Sequence, residues 1–219
     1  MFIAIVPAHN EESSIGSVVR SLVRHVDQVV VVDDGSRDAT AKEAASAGAV
    51  VLRHAINRGQ GAALETGHEY ARRAGADFVL HFDADGQFDA ADVPQALEAL
   101  RGSKADILFG SRFLDGRSKI PWFKRTILLP SARFVNQLLT GVKLSDAHNG
   151  FRILNRQAVS SIALTQDRMA HASEIVLLAK QQGLRIIEYP VKVVYREYGQ
   201  GVGGGVKILK DLLVGKLVE

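Results

Sequence analysis

The sequence predicts an α/β domain with a mostly parallel central sheet and helices on both faces of that sheet. Short apolar runs rich in β-branched residues alternate with helical patterns of about 10 to 15 residues, which is typical of a parallel sheet built from βαβ units. Polar clusters follow several of these runs. The 219 residues, 47% of them hydrophobic and 23% charged, are enough for one full-sized globular domain.

The strands and helices of the first half alternate regularly. We expect buried strands at residues 2–6, 29–32, 50–52, 78–82 and 107–109. We expect helices between them at residues 13–25, 39–47, 57–74 and 93–100. The first helix has the clearest pattern, because Ile15, Val18 and Leu22 recur on one face at helical spacing.

The pattern changes after Ser111. The start of the segment 115–145 is basic and aromatic, and a helical pattern then runs to residue 139. Beyond it we expect a turn and a strand within 146–154, a helix at 170–182, and a late edge strand at 186–195 that Pro190 interrupts. A glycine-rich loop at 199–205 ends the predicted domain, residues 1–205, and an amphipathic helix follows at 206–219.

Composition narrows the classes of function. A formal net charge of +3 is too small to indicate nucleic acid as a partner, although it suits anionic substrates or a membrane surface. The absence of cysteine excludes disulfides and thiolate metal sites. No apolar run approaches the length of a membrane span, and no secretory signal precedes the first strand. We therefore expect a cytoplasmic protein, either free or bound peripherally at the membrane face.

The pentapeptide Asp83-Ala84-Asp85-Gly86-Gln87 directly follows a predicted buried strand. Its two carboxylates and its amide offer hard oxygen atoms to one divalent cation, and Mg²⁺ is usually held by one or two carboxylates together with substrate phosphates. Asp and Gly are also ordinary turn residues after a strand. Taken alone, the pentapeptide is compatible with a metal site and with a turn.

Two further polar clusters, at residues 7–12 and 33–36, also follow predicted strands. The carboxyl ends of parallel strands meet at one edge of a sheet, which is where open α/β sheets bind their ligands. We therefore expect these clusters and the acidic pentapeptide to surround one crevice. The sequence predicts that this crevice binds the phosphates of a nucleotide.

Five motifs stand in order along the chain: Val6–Glu12, Val31–Ser36, Asn57–Leu64, Asp83–Gln87 and Asn149–Arg152. Together they resemble the motifs of family 2 inverting glycosyltransferases, most closely the branch of dolichyl-phosphate mannose synthases and polyprenyl-phosphate glycosyltransferases. The resemblance covers residues 2–200. It implies the GT-A fold, which has a Rossmann-like sheet, and a nucleoside-diphosphate sugar donor, linked to UDP or GDP, bound with Mg²⁺ or Mn²⁺.

The resemblance also implies roles for single residues. Pro7, His9 and Glu11 would line the base and ribose pocket. Asp34 would accept a hydrogen bond from the base. Asp85 would bind the metal directly, with Asp83 and Gln87 helping to fix the metal and the diphosphate. Arg112 and Arg125 would hold donor or acceptor phosphates, and Ser131 is a weaker candidate nearby.

The role of Asp146 depends on the acceptor. A sugar hydroxyl needs a base, and a positioned carboxylate is the usual one. A lipid phosphate is already largely ionised at neutral pH, because its second pKa is about 6, and it needs no strong base. Asp146 is therefore either catalytic or a structural partner of Arg152. Two residues depart from the family pattern, since Asn149 replaces a Ser and Gln60 stands where relatives often have Lys.

The resemblance thus implies an inverting, metal-dependent hexosyltransferase with a polyprenyl phosphate acceptor. A sugar hydroxyl acceptor is the first alternative, and a sugar-nucleotide nucleotidyltransferase or a non-catalytic nucleotide-sugar binding module are the others. The amphipathic segment at 206–219 either docks on the domain or on a second subunit of a homodimer, or lies on a membrane surface.

Overall fold

The computed structural model describes residues 1–118, 140–168 and 170–194. Within these residues, seven strands form one sheet. They are β1 (Phe2–Ala8), β2 (Gln28–Asp33), β3 (Val50–Arg53), β4 (Phe78–His81), β5 (Ile107–Ser111), β6 (Arg152–Asn155) and β7 (Ile186–Pro190). The helices of the same residues are α1 (Ile15–Leu22), α2 (Thr40–Ser46), α3 (Gln60–Ala74), α4 (Asp92–Gly102), α5 (Arg156–Ser161) and α6 (His171–Gln181).

The strand order is β3-β2-β1-β4-β6-β5-β7. The pairs β1–β2, β2–β3, β1–β4 and β5–β7 are parallel, whereas β6 is antiparallel to both β4 and β5. All the described strands except β6 therefore run in one direction. Their carboxyl ends lie along one edge of the sheet, as the mostly parallel sheet of the sequence prediction requires.

The core has one layer on each face of the sheet, because alternate residues of a strand point to opposite faces. Along β1, Ala4 and Val6 pack with the apolar faces of α1 and α4, whereas Ile3 and Ile5 pack with α3, α5 and α6. Helix α3 lies very close to the sheet, since a Cβ atom at Gly67 would stand 2.3 Å from Ile5 Cγ2. Burial on both faces explains why β1 and β2 are nearly continuous apolar runs.

Most predicted elements are present, with ends that differ by a few residues. Helix α5 was not predicted. It has only six residues and begins after Asn155, whose side chain accepts a hydrogen bond from Ala158 N at 2.9 Å. The late strand lies at the edge of the sheet, as expected, but it ends at Pro190.

Several predictions fall on residues that the structure does not describe. They concern the helical pattern up to residue 139, with Arg125 and Ser131, and the glycine-rich loop and amphipathic segment between residues 199 and 219. Among the helices of the described ranges, none has the length and apolar character needed to cross a membrane.

Candidate active site

The loops after β1 and β2 are tied together at the carboxyl edge of the sheet. Asn10 N donates to Ser36 Oγ at 2.9 Å, and Arg37 N donates to Asn10 Oδ1 at 2.9 Å. Glu11 N donates to Thr40 Oγ1 at 2.7 Å. Asn10 has a φ of 56°, the left-handed conformation that Asn tolerates better than most residues. The structure therefore brings the first two polar clusters together, as the sequence predicted.

A cleft of about 820 Å³ opens beside these loops. It is lined by ten residues that include His9, Ser36, His54 and Asn57. His9 Nδ1 donates to the carbonyl oxygen of Asp34 at 2.9 Å, because a carbonyl can only accept, and the Asn10 amide approaches His9 Nε2 at 3.0 Å as a donor. These contacts place a hydrogen on Nδ1 and fix the orientation of the ring.

Asp34 is buried and already accepts three hydrogen bonds. Its Oδ1 receives His54 Nδ1 at 2.7 Å and Arg58 N at 2.9 Å, and its Oδ2 receives Gly59 N at 2.7 Å. Asp34 thus anchors the loop that leads into α3. The family resemblance implied that this carboxylate accepts a hydrogen bond from the nucleotide base. It did not predict that Asp34 also holds the loop before α3.

The acidic pentapeptide lies between the loops after β1 and the start of β6. Asp83 Oδ1 accepts from Gln60 Nε2 at 3.1 Å, and a Cβ atom at Gly150 would stand 2.1 Å from Asp83 Oδ2. Asp85 Oδ1 accepts from Gln87 N at 2.9 Å, and Gly86 has a φ of 72°. The pentapeptide is therefore a tight turn that also presents two carboxylates, so the two interpretations of the motif are compatible.

Burial and, after it, the nearby charge of Asp85 raise the pKa of Asp83 to about 6, against the opposing charges of Arg152 and Arg112. Two carboxylates in this setting fit a divalent cation, which would neutralise their mutual repulsion. No group of three or more His, Asp or Glu side chains stands ready to hold a metal in the described residues.

Arg112 follows β5 directly and pairs with Asp146. Arg112 Nε donates to Asp146 Oδ2 at 2.6 Å, and Arg112 Nη2 donates to Oδ1 at 3.2 Å. Asn149 Nδ2 donates to Asp146 Oδ2 at 3.0 Å. Asp146 therefore forms its ion pair with Arg112. For a structural role of Asp146, the sequence analysis had expected Arg152 as the partner.

Arg152 is 1% exposed at the start of β6, where it stands opposite His81 of β4 and Phe109 of β5. Its guanidinium lies 5.6 Å from the centre of the Phe109 ring and donates to Ala147 O at 3.4 Å. Burial lowers the Arg152 pKa to about 10, while the charges of Asp83 and Asp146 raise it. The Gly-Phe-Arg motif pointed to this residue, but only the fold shows that it is a buried cation beneath the site.

Three residues near the site were not singled out as site candidates in the sequence. His68 and His81 are both buried, with their Nε2 atoms 2.7 Å apart. Glu188, on β7, accepts two hydrogen bonds from Ser145. None of these residues belongs to a recognisable motif, so only their positions in the fold reveal them.

Comparison with known proteins identifies the family. The sequence model described as "Glycosyl transferase family 2" matches residues 3–163. UDP-N-acetylglucosamine–dolichyl-phosphate N-acetylglucosaminyltransferase of Methanococcus voltae is 31% identical over 97% of this chain and 95% of its own length. Polyprenol monophosphomannose synthase of Mycolicibacterium smegmatis is 30% identical over 90% of this chain and 78% of its own length.

The fold has a match among solved structures. Glucosyl-3-phosphoglycerate synthase from Mycobacterium tuberculosis, solved with Mn²⁺ and UDP-glucose, superimposes with a TM-score of 0.72 at 19% identity, covering 98% of this chain and 78% of the synthase chain. This likeness confirms the predicted GT-A fold. Because the family model matches most of the chain and the relatives extend over nearly all of it, this chain belongs to glycosyl transferase family 2 and is a glycosyltransferase.

Proposed function

We propose that this enzyme transfers a hexosyl group, with inversion, from a UDP- or GDP-linked sugar to a polyprenyl phosphate, and that the transfer requires Mg²⁺ or Mn²⁺. The observation that carries the proposal is the position of Arg112, which follows β5 at the same carboxyl edge of the sheet as the acidic motif that follows β4. An acceptor anion bound by Arg112 would therefore share this edge with the donor diphosphate. The names of the two relatives, which refer to dolichyl phosphate and to a polyprenol, support a lipid phosphate as that anion.

On the donor side, Asp85 and Asp83 would hold the metal, with Gln87 in the same turn. The metal, when bound, neutralises the charge that develops on the departing diphosphate. Gln60 and the backbone at Gly150 fix the position of Asp83. The proposed nucleotide pocket consists of Pro7, His9, Glu11 and Asp34, at the ends of β1 and β2.

On the acceptor side, the guanidinium of Arg112 suits a phosphate group, because its planar fork of donors matches the phosphate oxygens. We assign Arg125 and Ser131 to the same phosphate. A lipid acceptor would also place the enzyme at a membrane surface, so peripheral attachment is part of this proposal.

A donor and acceptor screen tests the proposal. UDP- and GDP-linked hexoses are offered with a short polyprenyl phosphate or with a sugar acceptor, in Mn²⁺, in Mg²⁺ or in a chelator. We expect sugar transfer to the lipid phosphate only with metal, and we expect Asp85→Ala to lower kcat/KM by about 100-fold or more, since it removes a direct ligand of the catalytic metal.

Asp89→Asn is the matched control for Asp85→Ala. Asp89 lies just beyond the acidic motif, where it pairs with Lys192, and its loss should leave transfer nearly unchanged. If sugar is transferred to the sugar acceptor and not to the polyprenyl phosphate, the proposal that the acceptor is a lipid phosphate is refuted. Transfer that ignores both the chelator and Asp85→Ala would refute the metal-dependent mechanism.

A further inference from the structure

The carboxylate of Asp146 is surrounded by hydrogen-bond donors. Its Oδ2 accepts from Arg112 N at 3.2 Å, from Arg112 Nε at 2.6 Å and from Asn149 Nδ2 at 3.0 Å. Its Oδ1 accepts from Arg112 Nη2 at 3.2 Å. The side chain is only 3% exposed.

This environment is unsuited to a general base. A base must reach the proton that it removes, and it needs a free lone pair pointing at that proton. Three of the four donors converge on Oδ2, while Oδ1 is held by Arg112 Nη2 in a side chain that is only 3% exposed, so burial and the guanidinium leave little access for an acceptor proton. The buried Arg152 adds a second positive charge within electrostatic range of Asp146. These contacts hold the carboxylate in one orientation against Arg112 and Asn149.

The carboxylate of Glu188 also holds the segment that contains Asp146, through the neighbouring Ser145. Ser145 donates to Glu188 Oε1 through its backbone N at 2.7 Å and through its Oγ at 2.6 Å. The hydroxyl hydrogen of Ser145 is thereby used, so Ser111 Oγ, 2.6 Å away, must donate to Ser145 Oγ. The end of β5 is thus linked by Ser111, through Ser145, to Glu188, and Arg112, which follows β5, is held by Asp146.

We propose that Asp146 is a positioning residue that holds the guanidinium of Arg112 for the acceptor phosphate, and that it does not accept a proton in the reaction. This inference rests on the proposed function. An oxygen of the acceptor phosphate forms a bond to the anomeric carbon while the bond from that carbon to the nucleoside diphosphate breaks. The electron pair leaves with the diphosphate, and an ionised phosphate has no proton to lose.

A double-mutant cycle tests the inference. If Asp146 acts through Arg112, Asp146→Asn should raise the KM for a short polyprenyl phosphate by about tenfold, the usual effect of losing a charge-assisted contact. The double variant D146N/R112Q should be no worse than R112Q alone, because the two residues act as one unit. The shape of the pH–rate profile should stay the same.

A general base predicts different results. In that case D146N would lower kcat by about 100-fold or more, would remove the limb of the pH–rate profile that reports the base, and would add its effect to that of R112Q. Any of these three results overturns the inference. All variants are first compared with wild type by thermal unfolding.

If D146N does not fold, Asn149→Ala decides the question. It removes one donor to Asp146 and leaves Arg112 in place. A positioning role predicts an acceptor KM raised by a few-fold. A freed base predicts kcat equal to or above that of wild type with an unchanged KM, and that result would also overturn the inference. The control is Glu65→Gln, which weakens a different ion pair, to Arg72, and should leave the acceptor KM unchanged.

Two outcomes separate this inference from the proposed function. A wild-type enzyme that binds the polyprenyl phosphate in calorimetry but transfers no sugar to it refutes the proposed function, while the binding constants of D146N and R112Q still test Asp146. A wild-type enzyme that transfers sugar to the lipid phosphate, with D146N binding it equally well, refutes the inference alone.

Discussion

At the scale of single residues, two buried carboxylates hold the loops around the site, Asp146 through Arg112 and Asp34 through the backbone of Arg58 and Gly59. Asp83 and Asp85 lie where the motif placed them, whereas the pairing of Asp146 with Arg112 joins residues that are 34 positions apart. Such a pairing depends on how β5 and the segment before β6 meet, and no local pattern encodes it. The hydrogen bonds that Asp34 accepts from the backbone of Arg58 and Gly59 are likewise not predicted by its motif.

His171 leads to a prediction about stability. Burial lowers its pKa to about 4, and the nearby charge of Arg152 contributes to the decrease. The unfolded chain therefore binds a proton at this residue at pH values where the folded protein does not, so the free energy of unfolding should fall as the pH falls from about 6.5 to about 4. The part due to His171 is at most on the order of 3 kcal/mol.

Urea unfolding across this pH range measures the effect. His171→Asn keeps a donor for Arg168 O and cannot titrate, so the variant should show a smaller loss of stability with acid than wild type. His81, whose pKa burial also lowers, should account for part of the dependence that remains. An identical pH dependence in the variant and in wild type would refute the assignment to His171.

At the scale of elements, strands and long helices were predictable because their burial patterns are strong. The four consecutive valines at positions 29–32 are all buried, and the apolar side of α1 faces the core. Helix α5 escaped prediction since its six residues are too few to show helical periodicity. The segment before β6 also lies close to the turn after β4. The glycine at position 150 is the only local feature of the sequence that indicates this contact.

Because Gly150 lies against Asp83, Gly150→Ala tests whether the position of Asp83 matters for binding the donor. An added Cβ atom would lie 2.1 Å from Asp83 Oδ2, so either the carboxylate or the segment must move. We expect the affinity for Mn²⁺ with UDP to fall by about tenfold and stability to fall by about 1 to 3 kcal/mol. Calorimetry and urea unfolding provide the two measurements.

Gly102→Ala serves as the control for this prediction. Its Cβ atom would meet no atom within 4 Å, so binding should not change. Unaltered binding in Gly150→Ala as well would show that the position of Asp83 is unimportant for the donor.

At the scale of the whole molecule, the insertion of β6 between β4 and β5 creates the site. The sheet is mostly parallel, as the sequence predicted, and β6 is the described strand that runs against its neighbours. This direction places Arg152 at the same edge as the ends of β4 and β5, and it brings Gly150 against Asp83. Membership of the glycosyltransferase family also removes the nucleotidyltransferase and the non-catalytic binding module from the alternatives.

The membrane proposal gives the last prediction, which concerns the whole chain. The net charge of +3 provides little general attraction to lipid at physiological salt, where charges are screened over about 8 Å. Attachment should therefore depend on the acceptor headgroup. In vesicle flotation, we expect the enzyme to bind neutral vesicles that contain polyprenyl phosphate and not vesicles without it, and Arg112→Gln should weaken that binding. Equal binding of wild type to vesicles with and without the lipid phosphate would refute headgroup-dependent attachment.

A chain shortened to residues 1–205 tests the amphipathic segment. If the shortened chain floats as wild type does, residues 206–219 do not serve as a membrane anchor. Sedimentation of the two chains then shows whether that segment joins two copies.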